Sequence, residues 1–208
     1  MSRHPATEMA ASLKWWSEYG YGYYPVQESD WPYDEAYWAK YVRYEDTEVG
    51  RGLTAARLAL VDEFVPREAP IIDVGIGSGQ FIKARGGPTF GHDVNPVAVD
   101  WLRARWLQAY PLSGAVNVTF WDSLEHLPAP ELVVGAVESH VFVSIPLVEG
   151  RAHALGSKHF RPTEHYWYFT DHGLVRWFDD RGFSALHQSR MEEDFGREDI
   201  GTFVFRRR

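Results

Sequence analysis

The chain has no cysteine among its 208 residues, which removes disulfides, thiolate metal sites and cysteine nucleophiles at once. It has no run of eighteen apolar residues, so no membrane span is expected. Its opening, MSRHPATEMAAS, lacks the apolar centre of a signal peptide. Positive charge is scarce as well. Lys and Arg number 21 against 29 Asp and Glu, a net charge of −8, whereas nucleic-acid affinity comes mostly from clustered cations displacing counterions. The Arg206, Arg207, Arg208 end is too short to reverse that balance, so a nucleic-acid partner is not expected. These absences leave a cytoplasmic protein as the expectation. With 45% apolar residues the chain can bury a full core.

Three glycines and two acids carry the functional signal. Ile71 to Val74 reads as an apolar strand containing Asp73, which runs into a turn holding Gly75, Gly77, Ser78 and Gly79; a second strand, Phe90 to Val94, contains Asp93. Glycine tolerates positive φ and, lacking a Cβ, lets a ligand approach the backbone. The helix that follows offers unpaired N–H groups to polar ligand atoms. Asp93 stands eighteen positions after Gly75, about where a βαβ unit places the acid that accepts hydrogen bonds from a ribose. Two cofactors compete for such a turn, a nicotinamide dinucleotide and S-adenosylmethionine. The dinucleotide fingerprint wants glycine or alanine three places after the second glycine, and here that place holds Gln80.

The turn, with glycines at alternate positions, resembles motif I of the class I S-adenosylmethionine-dependent methyltransferases, and Asp93 resembles the acid closing that family's second strand. Two further segments match. Val118 to Pro128, VTFWDSLEHLP, is similar to the segment after the fourth strand in ubiquinone-biosynthesis-like O-methyltransferases, with Asp122, Glu125 and His126 at its acid-x-x-Glu-His positions. His140 to Leu147 resembles the fifth strand. The resemblance implies S-adenosylmethionine as cofactor, bordered by Asp73, Gly75, Gly77, Ser78, Gly79, Asp93, Val94, Asn95, Trp121 and Asp122. Adenine is expected between Val94, Phe120 and Trp121.

Methyl transfer to a small molecule, with oxygen as the expected acceptor atom, needs an in-line nucleophile and a base if that nucleophile begins protonated. Glu125, His126 and His165 are the candidate catalytic residues, because imidazole titrates near working pH. In some relatives the acid-x-x-Glu-His set binds a divalent ion, which makes Asp122, Glu125 and His126 a conceivable metal set. The three share one short turn and the Glu-His pair also occurs in relatives with no metal requirement, so no metal is expected. His153, His159 and His165, spaced six apart, fit no regular element that would aim all three together and read as surface scatter. A non-catalytic cofactor-binding module and a nicotinamide oxidoreductase remain as alternatives, the second disfavoured by Gln80.

Alternating strands and helices predict an α/β fold, a doubly wound, mainly parallel Rossmann-like sheet. A terminal antiparallel hairpin is expected at about Ala185 to Arg190 and Thr202 to Phe205. Between Asp93 and Val118 there is room for one helix, opening at Asn95 and Pro96 and reaching about Tyr110, and a turn. The third strand of a seven-stranded core is therefore expected to be absent or vestigial. Residues 1–66 read as an aromatic-rich N-terminal cap and helix, and 67–208 as the cofactor-binding core. In the cap, residues 13–33 read as loop, Asp34 to Tyr44 as helix and Thr54 to Val65 as an amphipathic helix, with Trp15, Trp31, Tyr37, Tyr41 and their neighbours forming a lid. Asp171 is expected to cap a later helix.

Overall fold

The computed structural model describes residues 11–26, 32–110 and 114–208. In chain order its strands are β1 (Lys14–Trp16), β2 (Tyr21–Tyr23), β3 (Ile71–Val74), β4 (Thr89–His92), β5 (Ala115–Trp121), β6 (Val137–Pro146), β7 (Trp167–Phe169), β8 (Phe183–Ser189) and β9 (Ile200–Arg207). The helices are α1 (Glu35–Glu45), α2 (Glu48–Phe64), α3 (Gln80–Arg85), α4 (Pro96–Arg103), α5 (Pro130–Gly135), α6 (Arg151–Gly156) and α7 (Asp171–Asp179). Among these residues no helix is long and apolar enough to cross a membrane.

Six strands form the main sheet in the order β4-β3-β5-β6-β9-β8. Pairing is parallel from β4 to β6 and antiparallel at β9 and β8, so the expected doubly wound sheet and terminal hairpin are both present. Where a third strand would lie beside β4, a single parallel bridge joins Gly91 to Gln108. Gly91 N–H donates to Leu107 O and Ala109 N–H donates to Gly91 O, each at 2.8 Å. Among the described residues the third strand is reduced to this one bridge. Asn95 and Pro96 do open α4, the Asn95 side chain accepting from Val97 N–H, but the helix stops at Arg103 instead of reaching Tyr110. Trp106, at φ 58, breaks the helical path and frees residues 107–109 to run along β4.

Apolar layers cover both faces of the sheet. On one side Val118, Phe120, Val141 and Val143 pack with Leu174, Trp177 and Phe178 of α7, and Phe178 stacks on Phe205 with centroids 3.8 Å apart. Each such aromatic contributes about 1.5–3 kcal/mol through burial. On the other side Leu60 and Val61 of α2 meet Ile71, Phe81, Trp121, Phe142 and Val204. Helix α2 begins at Glu48, earlier than Thr54, because Thr47 Oγ1 accepts from Gly50 N–H at 3.0 Å. Likewise Thr170, and not Asp171, caps α7, its Oγ1 accepting from Gly173 N–H at 2.9 Å.

The aromatic segment differs most from its sequence reading. Part of residues 13–33, expected as loop, forms β1 and β2, which join β7 in a separate antiparallel sheet, β1-β2-β7. Tyr21 packs on Trp167 and Phe169 across that sheet. Helix α1 follows as expected, with Asp34 as its cap accepting from Tyr37 N–H at 2.8 Å. Trp31 lies outside the described residues.

Candidate active site

The turn after β3 is shaped by two close approaches. A Cβ on Gly75, at φ 79, would lie 2.5 Å from the Cβ of Ser123, whose hydroxyl donates to Val74 O. A Cβ on Gly79, at φ 73, would lie 2.6 Å from the Trp101 ring. Gly75, Gly77 and Ser78 border a cleft of about 660 Å³, and Gly79 packs against Trp101 where α3 meets α4. Asp93 is fixed at the cleft wall by two backbone donors, Ile76 N–H to Oδ2 at 2.9 Å and Asn95 N–H to Oδ1 at 2.8 Å. Asp73 accepts from Thr119 Oγ1 at 2.7 Å, and burial pushes its carboxyl up to about 7.

Gln80, the residue that departs from the dinucleotide fingerprint, has a structural task. Its amide donates to Glu45 O and Gly50 O, each at 3.3 Å, tying the glycine turn to the corner between α1 and α2. Asn95 Nδ2 makes a parallel tie to Asp34 O at 3.0 Å. Helix α1 is thereby held over the cleft, where Tyr37, Trp38 and Tyr41 line it together with Tyr33. None of the residues of α1 is fully buried, and Tyr37 and Tyr41 share a hydroxyl hydrogen bond of 3.1 Å.

Beside the glycine turn a single helical turn, Leu124–His126, follows β5. It presents Glu125 and His126 beside His165, which precedes β7. Glu125 is 1% and His165 4% exposed. The two imidazoles meet edge to face with centroids 4.5 Å apart. His126 Nε2 lies 4.0 Å from Glu125 Oε1, and its Nδ1 is 3.2 Å from the Tyr33 hydroxyl. Burial, with a smaller effect from Asp122, pushes Glu125 well above the usual carboxylate range. Burial pulls His126 down to about 4 and, with help from His126, pulls His165 well below the ordinary imidazole value. Both imidazoles are uncharged near neutrality, so the Glu125–His126 contact is not an ion pair. Both oxygens of Glu125 lack a hydrogen-bond partner among the described residues.

Asp122 lines the same cleft but belongs to a different cluster. Arg197 binds both of its oxygens and Arg57 binds Oδ2 at 3.0 Å. Glu192, fully buried, joins the two guanidinium groups and also accepts from Ser144 Oγ at 2.5 Å. The two arginines hold Asp122 down at about 2. The set Asp122, Glu125 and His126 suggested by the resemblance is therefore not the one that converges; His165 takes the third place, and the ligand atoms of Glu125, His126 and His165 lie within 4.8 Å of one another. His165 is buried, not surface scatter, while His153 Nδ1 accepts from Glu149 N–H at 3.0 Å.

Val94 and Trp121 line the cleft, but Phe120 packs in the core on the other face of the sheet. Arg57, Arg197 and Glu192 were not singled out by sequence. One signal was available for Arg57, which stands four residues from both Leu53 and Val61 on the apolar face of α2. A cation placed in an apolar stripe needs a buried partner. Its guanidinium also lies 4.9 Å from the Trp121 ring centroid.

A family model described as a methyltransferase domain matches residues 41–188. The chain belongs to that methyltransferase family. Its fold is that of magnesium protoporphyrin IX methyltransferase from Synechocystis PCC 6803, solved with bound SAH, at TM-score 0.58 and 12% identity over 84% of this chain and 95% of that one. A putative methyltransferase in complex with the Haloferax volcanii Trm112 activator gives TM-score 0.63 at 16% identity, over 83% and 95%. Burkholderia thailandensis 1,6-didemethyltoxoflavin-N1-methyltransferase gives 0.57 at 16%, over 83% and 84%. No curated protein matches the chain. Family and fold make the protein an S-adenosylmethionine-dependent methyltransferase.

Proposed function

We propose that this methyltransferase passes the methyl group of S-adenosylmethionine to a small-molecule acceptor, at oxygen. The observation that carries the reading is one cleft lined both by the glycine turn with Asp93 and by Glu125, His126 and His165. The residues present fit the cofactor. Gly75, Gly77 and Ser78 let the methionyl part lie against backbone, Asp73 braces the turn, and Asp93 keeps lone pairs for the ribose. Val94 and Trp121 flank the adenine, Asn95 holds the acid's loop, and Asp122 borders the methionyl end. Bound S-adenosylmethionine supplies a methyl group already activated on a sulfonium, and the chain's share is orientation, water exclusion and proton removal.

The base is drawn from His126 and His165. Both are neutral, so either can accept a proton from a hydroxyl acceptor, and Tyr33 orients His126 through Nδ1. Residues 1–66 act as the cap of the 67–208 core, with the α1 aromatics closing over both ligands. Two fold relatives, magnesium protoporphyrin IX methyltransferase and 1,6-didemethyltoxoflavin-N1-methyltransferase, are named for small-molecule substrates, which supports this class of acceptor, as does the net charge of −8. Calorimetric binding of S-adenosylmethionine followed by labelled-methyl transfer to a metabolite extract tests it. A labelled O-methyl product supports the reading. Binding without transfer would make the protein a cofactor-binding module, and an N- or C-methyl product would move the acceptor atom.

A further inference from the structure

We propose that Glu125, His126 and His165 bind one first-row divalent cation of the zinc type, at the acceptor wall of the cleft. The three ligand atoms lie within 4.8 Å of one another. Bonds of about 2.0–2.2 Å to nitrogen and oxygen bring such atoms to roughly 3–4 Å apart, so a small inward movement of side chains completes the set. The second observation is the state of Glu125. Its carboxyl is 1% exposed and neither oxygen has a partner among the described residues, although a buried polar group without a partner costs several kcal/mol. A cation held between Glu125 and the two imidazoles supplies that partner.

The surroundings are those of a ligand set. Tyr33 sits at Nδ1 of His126, 3.2 Å away, leaving Nε2 toward Glu125 as the donor atom; an outer hydrogen bond of this kind fixes the ring of a metal-bound histidine. All three residues line the cleft, so coordination positions not filled by protein open toward the acceptor. Donor chemistry selects the ion. Two imidazoles and one carboxylate suit zinc, iron, cobalt or nickel, whereas magnesium prefers an all-oxygen set. Asp122, which would have made the set richer in oxygen, is committed to Arg57 and Arg197. The ion in turn would hold the acceptor oxygen and lower its pKa, replacing the free imidazole as the group that activates the acceptor; that consequence rests on the transfer reaction proposed above, but binding of the cation does not.

The test uses the whole chain, stripped with a chelator, exchanged into clean buffer, labelled with 15N-histidine and titrated with zinc chloride in the absence of S-adenosylmethionine. One equivalent of zinc is expected to bind, shifting the ring nitrogens of two of the nine histidines, while the same concentration of magnesium chloride leaves them in place. The two shifted signals are expected to be those missing from H126Q and H165Q, and E125Q is expected to weaken zinc binding at least tenfold. Unshifted ring nitrogens in the unmodified protein, or shifts confined to other histidines, would overturn the site whatever the variants do. Binding of S-adenosylmethionine to the same stripped protein is measured separately. Cofactor binding with no zinc site sinks this inference alone, and a zinc site with no cofactor binding sinks the transfer reaction alone.

Discussion

Arg197 grips Asp122 in a two-pronged pair, Nη1 to Oδ2 and Nη2 to Oδ1, each at 2.8 Å. The pair ties the end of β5 to the segment before β9, and Arg57 and Glu192 complete a ring of alternating charge. Asp122 sits at φ 56, a backbone state that a non-glycine residue holds only when its surroundings enforce it. Removing one member of a buried network leaves its partners uncompensated, at about 3–5 kcal/mol. Arg197→Met is therefore expected to destabilise the protein by about 3 kcal/mol in urea denaturation, because fully buried Glu192 loses a neighbour. Asp122 has its carboxyl depressed from 3.8 to about 2, so its contribution is complete above pH 4 and is lost as pH falls through about 2. The variant should show a shallower acid-unfolding curve over that window; an unchanged curve would remove Arg197 from the network.

Asp73 runs the opposite way. Burial raises its carboxyl from 3.8 to about 7, so the folded chain holds a proton that the unfolded chain has released. Stability tied to this group is complete below pH 4 and declines as pH rises through 7. At about 1.36 kcal/mol for each pH unit, the loss is on the order of 4 kcal/mol. Asp73→Asn keeps the shape and cannot ionise. Compared with the unmodified protein it should gain relative stability between pH 4 and pH 8, read from denaturation midpoints at several pH values. A parallel pair of curves would show that Asp73 is ionised in the fold at no cost.

How much of this was legible in the sequence follows the range of each interaction. The turn after Asp73, the acid at 93 and the shortened stretch between Asp93 and Val118 are local, and each appears in the structure where its residues place it. The vestigial third strand was readable as a shortage of residues; its remnant at Gly91 and Gln108 was not, because a single bridge leaves no periodicity. Sheet β1-β2-β7 was missed because Gly22 pairs with Tyr168, a partner nearly 150 residues away with no local pattern to announce it. The Glu125–His126 turn was legible, but the direction of Asp122 was decided by Arg57 and Arg197, one hidden in a helix stripe and one in an irregular segment. His165 reaches His126 through tertiary packing alone.

Gly79 separates structural from ligand roles within the glycine turn. Its φ of 73 and a Cβ position 2.6 Å from Trp101 mean that Gly79→Ala strains the backbone and displaces an indole. The combined cost is expected at about 2–3 kcal/mol. Since Gly79 does not line the cleft, the Kd for S-adenosylmethionine should change less than about threefold, a fraction of a kcal/mol. Thermal unfolding and calorimetry on the same sample check both halves. A large loss of cofactor affinity in a variant of normal stability would give Gly79 a direct part in holding the cofactor.

Asp93 carries the most direct prediction for the cofactor. Its two oxygens already accept from Ile76 and Asn95 N–H, which aim the remaining lone pairs at the cleft. Asp93→Asn keeps one acceptor and replaces the other with a donor, so it loses one backbone bond and presents the wrong polarity to a sugar hydroxyl. A charged hydrogen bond is worth about 1.5–3 kcal/mol, which converts to a rise in Kd of roughly ten- to hundredfold. Burial holds the Asp93 carboxyl above its usual range, so cofactor affinity of the unmodified protein should also fall as pH is lowered toward that raised value, while the D93N variant stays flat. Calorimetric titration of both proteins across pH 4 to 8 reads the two effects together. Equal affinities at pH 8 would mean that the ribose is held elsewhere.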